Sequence, residues 1–378
     1  MNKRYIYSNT SANDLVDIYE TKYLEEKTLT SINVNNGIIM PYGFNKPVGV
    51  FKSNGHYVEL SSERNFFNEK MVVSDIEECN EVVFYLGGFH TGHWGNFLID
   101  NISRLWYWLE NNERIKIAYC GRSFREGTFG NASSNAFQLL SLLGIGRDDL
   151  IDVRTPLQFK KVIVPQKSFI HYKYVSPPYL SIYHKLREVV KCKKEVYNKI
   201  YFTRRQLTRR KEIGEDIFEK LFKKNGYKIL APETLTFEEQ AYLIYNCKTL
   251  ASIEGTLAHN IVFAKKETQQ IILRKQSEVI PRQIMLNQVT STDVIYIDVY
   301  KEPFKSFPIS HDRGPFLLVW NINIERFIAD NKFESISVNV IKQIYNLCIY
   351  GMKCLIYSCK HKMKRFWLNK SHVINAYI

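Results

Sequence analysis

The residues best able to do chemistry fall in three places. The first is the run KTLASIEGTLAHNIVFAKKETQQIIL, residues 248–273. Residues 249–253 are short, apolar and β-branched and predict a strand; Glu254-Gly255-Thr256 predicts a tight turn with a hydroxyl cap, and residues 257–264 a buried helix. A helix opened in this way aims free backbone N–H groups, and the positive end of its dipole, beyond the strand end. Phosphate is the usual occupant of such a position in an open α/β sheet. Glu254 is the odd member, because a carboxylate beside a diphosphate repels it; it is expected on ribose hydroxyls or an acceptor sugar. His259, inside the helix, reads as a satisfied buried histidine.

The second place is Arg204-Arg205, at the end of a strand predicted over residues 199–203. A guanidinium there can grip a diphosphate with two parallel hydrogen bonds. The plainer alternative is a solvated charge run continuing through Arg209, Arg210 and Lys211. The third is the loop GGFHTGHWG, residues 87–95, with His90 and His93, followed by a helix predicted over residues 96–110 that carries Asp100. A neutral imidazole and a carboxylate are both competent bases near neutral pH. Asp100 can equally be an acid favoured near a helix start by the dipole, and each histidine can serve only to position substrate.

The elements that would hold these groups alternate. Residues 1–75 suggest a few antiparallel strands, with turn signals at Asn35-Asn36-Gly37 and Asn54-Gly55. A strand over 81–87 precedes the Gly/His loop. Segments 115–119, 134–143, 150–153 and 161–165 then read as strand, helix, strand and strand. Pro177-Pro178 precedes a charged helix, and a domain boundary is expected there. Beyond it the rhythm is regular: strand 199–203, helix 214–225, strand 227–230, helix 236–246, strand 249–253, helix, strand 269–273, with strand 294–299 as a possible addition. Thr236-Phe237-Glu238-Glu239 is a capping box and Asn225-Gly226 a helix stop. Such alternation implies right-handed crossovers and a parallel sheet, a Rossmann-like half. The expected division is residues 1–175 as an N-terminal acceptor-side α/β domain, 176–330 as a nucleotide-sugar-binding domain, and 331–378 as a basic amphipathic helical tail.

The chain has 378 residues, 45% of them hydrophobic, and a net charge of +14. That is enough to bury a large core and favours two domains. No stretch of about 18 uncharged apolar residues occurs, and the N-terminus lacks the apolar core of a signal peptide, so a cytoplasmic location is expected. Seven cysteines without a C-x-x-C pair predict free thiols. The charge asks for a polyanionic partner, but no nucleic-acid-binding signature accompanies it. From residue 341 apolar side chains recur at helical spacing with lysines on the other side, a pattern that suits an anionic membrane surface or packing on the fold itself. No Asp-x-Asp pair is present to hold a nucleotide through a divalent ion, and no Gly-x-x-x-x-Gly-Lys loop.

Three segments taken together, GFHTGHWGNFLIDNISRLW (88–106), IYFTRRQLTRRKEIGEDIFEKLFKKNGYKIL (200–230) and LTFEEQAYLIYNCKTLASIEGTLAHNIVFA (235–264), resemble glycosyltransferase family 61. The resemblance covers residues 87–273. It implies a GT-B-like architecture, with two Rossmann-like domains facing a cleft and here a C-terminal amphipathic helical segment. It also implies an inverting, metal-independent transfer, with no cofactor, from a nucleotide-diphosphate donor, a UDP-sugar, to a growing capsular or surface glycan. The residues so implicated are Asp100, His93 and His90 for catalysis, and Arg204, Arg205, Glu254, Gly255, Thr256 and Asn260, which completes the Gly-x-x-x-x-Asn pattern, for the donor. Many members carry His-Gly where this chain has Glu254-Gly255. The rival reading is a carbohydrate-binding or assembly subunit that kept the fold and lost the chemistry. The expected partners are a nucleotide sugar, a glycan acceptor and an anionic membrane surface at the inner face of the cell membrane, with no nucleic acid.

Overall fold

The computed structural model describes residues 4–8, 17–44, 47–62, 70, 75–89, 94–111, 115–121, 135–207, 211–310 and 313–374, with side chains up to residue 359. It is a mixed α/β protein with two six-stranded sheets and a small three-stranded one. The first strand, β1 (Arg4–Tyr7), leaves its sequence neighbours and pairs in parallel at the edge of the second large sheet. The first large sheet is built from β2 (Ser31–Met40), β3 (Gly49–Phe51), β4 (Glu77–Phe89), β5 (Lys116–Gly121), β6 (Leu150–Asp152) and β7 (Leu157–Pro165), in the order β3-β2-β7-β4-β5-β6. Strands β7, β4, β5 and β6 are parallel, and β2 and β3 form an antiparallel edge.

Asn35-Asn36-Gly37, expected as a hairpin turn, lies inside β2. Asn35 pairs with Lys161 and Gly37 with Phe159 in one unbroken register, so the ladder runs past Asn36, at φ 48°, without a turn. Local turn chemistry here is overridden by pairing along all of β7. Asn54-Gly55 does turn the chain, with Gly55 N–H donating to the Lys52 carbonyl.

A short hairpin, β8 (Phe169–Ile170) and β9 (Tyr174–Val175), follows. The second half then brings β10 (Lys199–Phe202), β11 (Glu212–Ile213), β12 (Lys228–Leu230), β13 (Thr249–Ile253), β14 (Gln269–Arg274), β15 (Val294–Asp298), β16 (Tyr300–Lys301) and β17 (Phe316–Leu318). The second large sheet runs β1-β15-β14-β13-β10-β12 and is parallel throughout. Period-two alternation assigns its side chains to two buried faces: Ile200, Phe202 and Leu250 to one, Tyr201, Ala251 and Ile253 to the other. The first of these faces shares one apolar cluster with Phe84, Phe89 and Phe97 from the first half. The remaining strands, β11, β17 and β16, form the small sheet.

The helices are α1 (Trp94–Asn96), α2 (Leu105–Glu110), α3 (Asn135–Leu142), α4 (Ser181–Val189), α5 (Asp216–Lys224), α6 (Phe237–Asn246), α7 (Thr256–His259), α8 (Pro281–Thr290), α9 (Ile322–Asp330) and α10 (Val340–Ile374). The capping box at Thr236 forms as read: its hydroxyl accepts from Glu239 N–H while Glu239 accepts from Thr236 N–H. The helix expected over residues 96–110 is broken. A single turn, α1, passes into a π-helical turn, Phe97–Asn101, and the chain re-enters α geometry only at Leu105. Arg104 marks the break, because its buried guanidinium donates to the carbonyls of Leu86, Pro165 and Leu60 instead of pointing into solvent. Among the described residues no helix is long and apolar enough to cross a membrane.

Candidate active site

Parallel strands converge their C-terminal ends, and the residues just past three adjacent strands of the second sheet, β10, β13 and β14, meet in one cleft. Arg204 follows β10, Gly255 and Thr256 follow β13, and Lys275 follows β14; all four line a cavity of about 390 Å³. From the first half come Gly95 and Asn96 of α1 and His171 of the β8–β9 turn. Lys211, Glu212, His259, Glu278 and Arg282 add to the walls. Lysine and arginine thus provide four of the lining residues against two glutamates, so the cleft suits an anion.

Gly255 has φ 119° and ψ −151°, a conformation that side chains rarely adopt. A Cβ built on it would lie 3.6 Å from Lys275 Nζ and 3.7 Å from Arg204 Nη1. Glycine therefore leaves open the space between two cations while starting α7, where the Ala258 and His259 N–H groups donate to the Gly255 carbonyl and those of Thr256 and Leu257 precede the first helical bond. The expected hydroxyl cap does not form: the capping position is Gly255 itself, and Thr256 is the first helical residue. The expected helix over 257–264 is one α turn followed by a 3-10 turn, Asn260–Phe263.

The two cations are fixed from below by Glu212, which is 1% exposed. Its carboxylate lies 3.3 Å from Lys275 Nζ and 3.6 Å from Arg204 Nε. Burial alone would raise the Glu212 carboxyl; the charges of Lys275 and Arg204 outweigh it and hold the group below the usual carboxylate range. Beneath Arg204, Glu215 accepts the Arg204 backbone N–H on both oxygens, at 3.1 and 3.2 Å. Burial pushes Glu215 up to about 7, and the neighbouring Glu212 and Glu219 charges add to this against the Arg204 hydrogen bonds.

Arg205 turns away from the cleft and pairs with Glu219. Alternate residues after a strand end face opposite ways, so of the arginine pair it is Arg204 that lines the cavity. Glu254 lies behind the wall, 5% exposed, where its carboxylate meets the Lys275 backbone N–H at 3.4 Å. Its burial raises the carboxyl above its usual range, with Arg274 and Lys275 opposing. It is not among the residues lining the cleft, contrary to the expectation that it would meet ribose or sugar hydroxyls. Asn260 is buried as well and accepts the Trp94 indole N–H at 2.9 Å, a link between the halves rather than a group facing the cavity. Asp100 sits half-buried in the π-helical turn and is not among the lining residues. His90 and His93 lie outside the described residues.

Arg282 and His171 carried no pattern in the sequence. Arg282, at the start of α8, donates from Nε to His171 Nε2 at 2.9 Å and from Nη1 to Asn96 Oδ1 at 3.1 Å, tying α1, the β8–β9 turn and α8 together. Lys275 follows β14 as Arg204 follows β10 and Gly255 follows β13, so its place at a strand end is the signal that marks it. His259 is buried, as read, but also borders the cleft; its Nδ1 meets Gln283 Oε1 at 2.8 Å. The Gln283 amide donates to Gln270 and Asn287 at 3.1 and 3.0 Å, so the amide nitrogen is committed there and the oxygen is left to accept from the ring.

No curated protein matches the chain. The family model described as Glycosyltransferase 61 matches residues 94–271, a stretch that runs from α1 into β14 and includes Gly95, Asn96, His171, Arg204, Glu212, Gly255, Thr256 and His259 of the cleft. Residues 94–271 are accordingly a glycosyltransferase family 61 domain, and the chain is a glycosyltransferase.

Proposed function

We propose that the cleft binds a nucleotide-diphosphate sugar, specifically a UDP-sugar, and that the protein transfers the sugar with inversion to a growing capsular or surface glycan on the cytoplasmic side. The observation that carries this reading is the open space at Gly255 between Lys275 Nζ and Arg204 Nη1, at the convergent ends of parallel strands. A diphosphate seated there would take charge-assisted hydrogen bonds from both side chains and backbone N–H groups from α7. In this reading the two large sheets are the two Rossmann-like halves of a GT-B-like arrangement, with the acceptor entering from the α1 side.

Inverting transfer is a single displacement. The acceptor hydroxyl oxygen bonds to the anomeric carbon as the bond from that carbon to the phosphate oxygen breaks, the nucleotide diphosphate leaves, and a base takes the hydroxyl proton. Arg204 and Lys275 would stabilise the charge growing on the leaving diphosphate, which is the role a divalent ion otherwise fills, so we propose transfer without a metal. The base belongs to the run 90–100. His93 stands two residues from Gly95, a cleft residue, whereas Asp100 lies outside the lining. We therefore favour His93 over His90 and Asp100 for the proton.

Thermal unfolding with a panel of nucleotide sugars tests the reading, because a ligand bound only by the native state raises the apparent Tm. A selective rise with UDP and UDP-sugars supports it. A panel without any shift, together with no transfer to glycan acceptors, overturns it.

A further inference from the structure

We propose that the outer face of α10 docks on an anionic lipid surface. The helix has 35 residues, roughly 52 Å at 1.5 Å per residue. One side holds it to the body of the protein. Tyr350 and Cys354 are buried with Ile213, Phe307 and Leu317, Lys342 pairs with Asp216, and the Gln343 amide oxygen accepts from the Trp320 backbone N–H. On the opposite side Ile341, Ile344, Tyr345, Met352, Leu355 and Ile356 are each between 54% and 79% exposed. Helical spacing gathers these six into one stripe, half a turn away from Tyr350. The helix therefore packs on the fold and still presents an apolar face that no described residue covers, and a contiguous exposed patch of this kind marks an interaction surface.

Charge chooses the occupant. From residue 335 to residue 378 the sequence has seven Lys or Arg and no Asp or Glu. A second copy seated on this face would set cations against cations with no acid to pair them, whereas helix seams between copies are flanked by opposite charges. Nucleic acid would meet the lysines and leave the apolar stripe in water. An anionic bilayer satisfies both features, with the stripe in the boundary of the acyl chains and the cations among the headgroups. Since no described helix can span a membrane, α10 would lie along the surface. It packs on β11, whose Glu212 lines the cleft, so the cleft opens next to the docked element.

Co-flotation of the full chain with vesicles tests this without need of any transfer activity. The expected result is binding to vesicles of 30:70 phosphatidylglycerol and phosphatidylcholine, weakening at least tenfold between about 50 and 500 mM salt, and little binding to pure phosphatidylcholine. The triple variant Met352→Asp, Leu355→Asp, Ile356→Asp should lose vesicle binding at least tenfold while its Tm stays unchanged, since all three side chains are exposed. A triple variant that binds as well as the native chain, or a native chain that ignores the anionic vesicles, overturns the proposal. A concentration-dependent dimer that the triple variant abolishes, without vesicle binding, would assign the face to a second copy. Should the triple variant unfold, the lipid and salt dependence of the native chain alone decides.

Discussion

Gly95 lies against Thr256, so that a methyl group on Gly95 would sit 3.1 Å from the Thr256 hydroxyl and 3.3 Å from the His259 ring. Gly95 lies about 160 residues before Thr256 and His259 in the sequence and follows a strand of the first large sheet, whereas they follow β13 of the second. Their approach lets the loop that ends in α1 and the turn that opens α7 form two walls of one cleft. Gly95→Ala should be accommodated by a shift of a few tenths of an ångström. Gly95→Val adds bulk where there is none to spare, and should weaken nucleotide binding at least tenfold with a Tm within a few degrees of the native protein. Titration calorimetry on folded Gly95→Val checks this; native affinity in that variant would mean that the two walls do not bound the binding site.

The pH dependence of stability should carry a component from Glu215. Its carboxyl is raised to about 7 in the folded chain from 4.5, so its contribution is fully present below pH 4.5 and is lost as pH rises through about 7. A gap of that size corresponds to about 3 kcal/mol at most. Urea unfolding of native and Glu215→Gln protein at pH 5 and pH 8 isolates it. The native chain should lose up to about 3 kcal/mol more than the variant over that interval, and parallel losses would show that Glu215 titrates normally.

Arg274 and Asp298 form a buried pair, 2.6 Å apart, that ties the ends of β14 and β15 behind the cleft. Removing one partner of such a pair leaves an uncompensated buried charge and typically destabilises by about 3–5 kcal/mol. Arg274→Met should fall in that range by denaturant unfolding. Arg282→Gln, whose side chain faces the cavity, should change stability far less. A loss under about 1 kcal/mol in Arg274→Met would show that Asp298 finds another partner or a proton.

For the proton transfer, His93→Asn should lower turnover about 100-fold or more, the usual contribution of a general base, and leave UDP affinity unchanged. Asp100→Asn should have the smaller effect, because Asp100 does not line the cleft. Steady-state kinetics with the cognate donor reads both. The reverse ranking would return the base to Asp100.

Much of the second half was legible because its signals are local. β13 spans residues 249–253 as read, and the Thr236 capping box starts α6 where it should. What escaped was set by distant contacts. β1 joins the second sheet through pairing with β15, almost 300 residues away, which no local pattern announces. Asn35-Asn36-Gly37 looks like a turn until β7 is known to run alongside. In the site, Arg204, Gly255 and Thr256 follow from strand ends, whereas Arg282 and His171 reach the cleft only through packing of α8 against the β8–β9 turn. The withdrawal of Arg205 and Glu254 is electrostatic, since each is drawn off the cleft by a partner, Glu219 and the Lys275 backbone respectively.

The central claim is that Arg204 and Lys275 grip a diphosphate across Gly255. Isothermal titration of UDP into native protein, Arg204→Gln and Lys275→Gln tests it most directly. A charge-assisted hydrogen bond is worth about 1.5–3 kcal/mol, so each variant should bind UDP roughly 10- to 100-fold more weakly than the native protein. UDP binding of equal strength in all three proteins, or none in the native protein, would contradict the account.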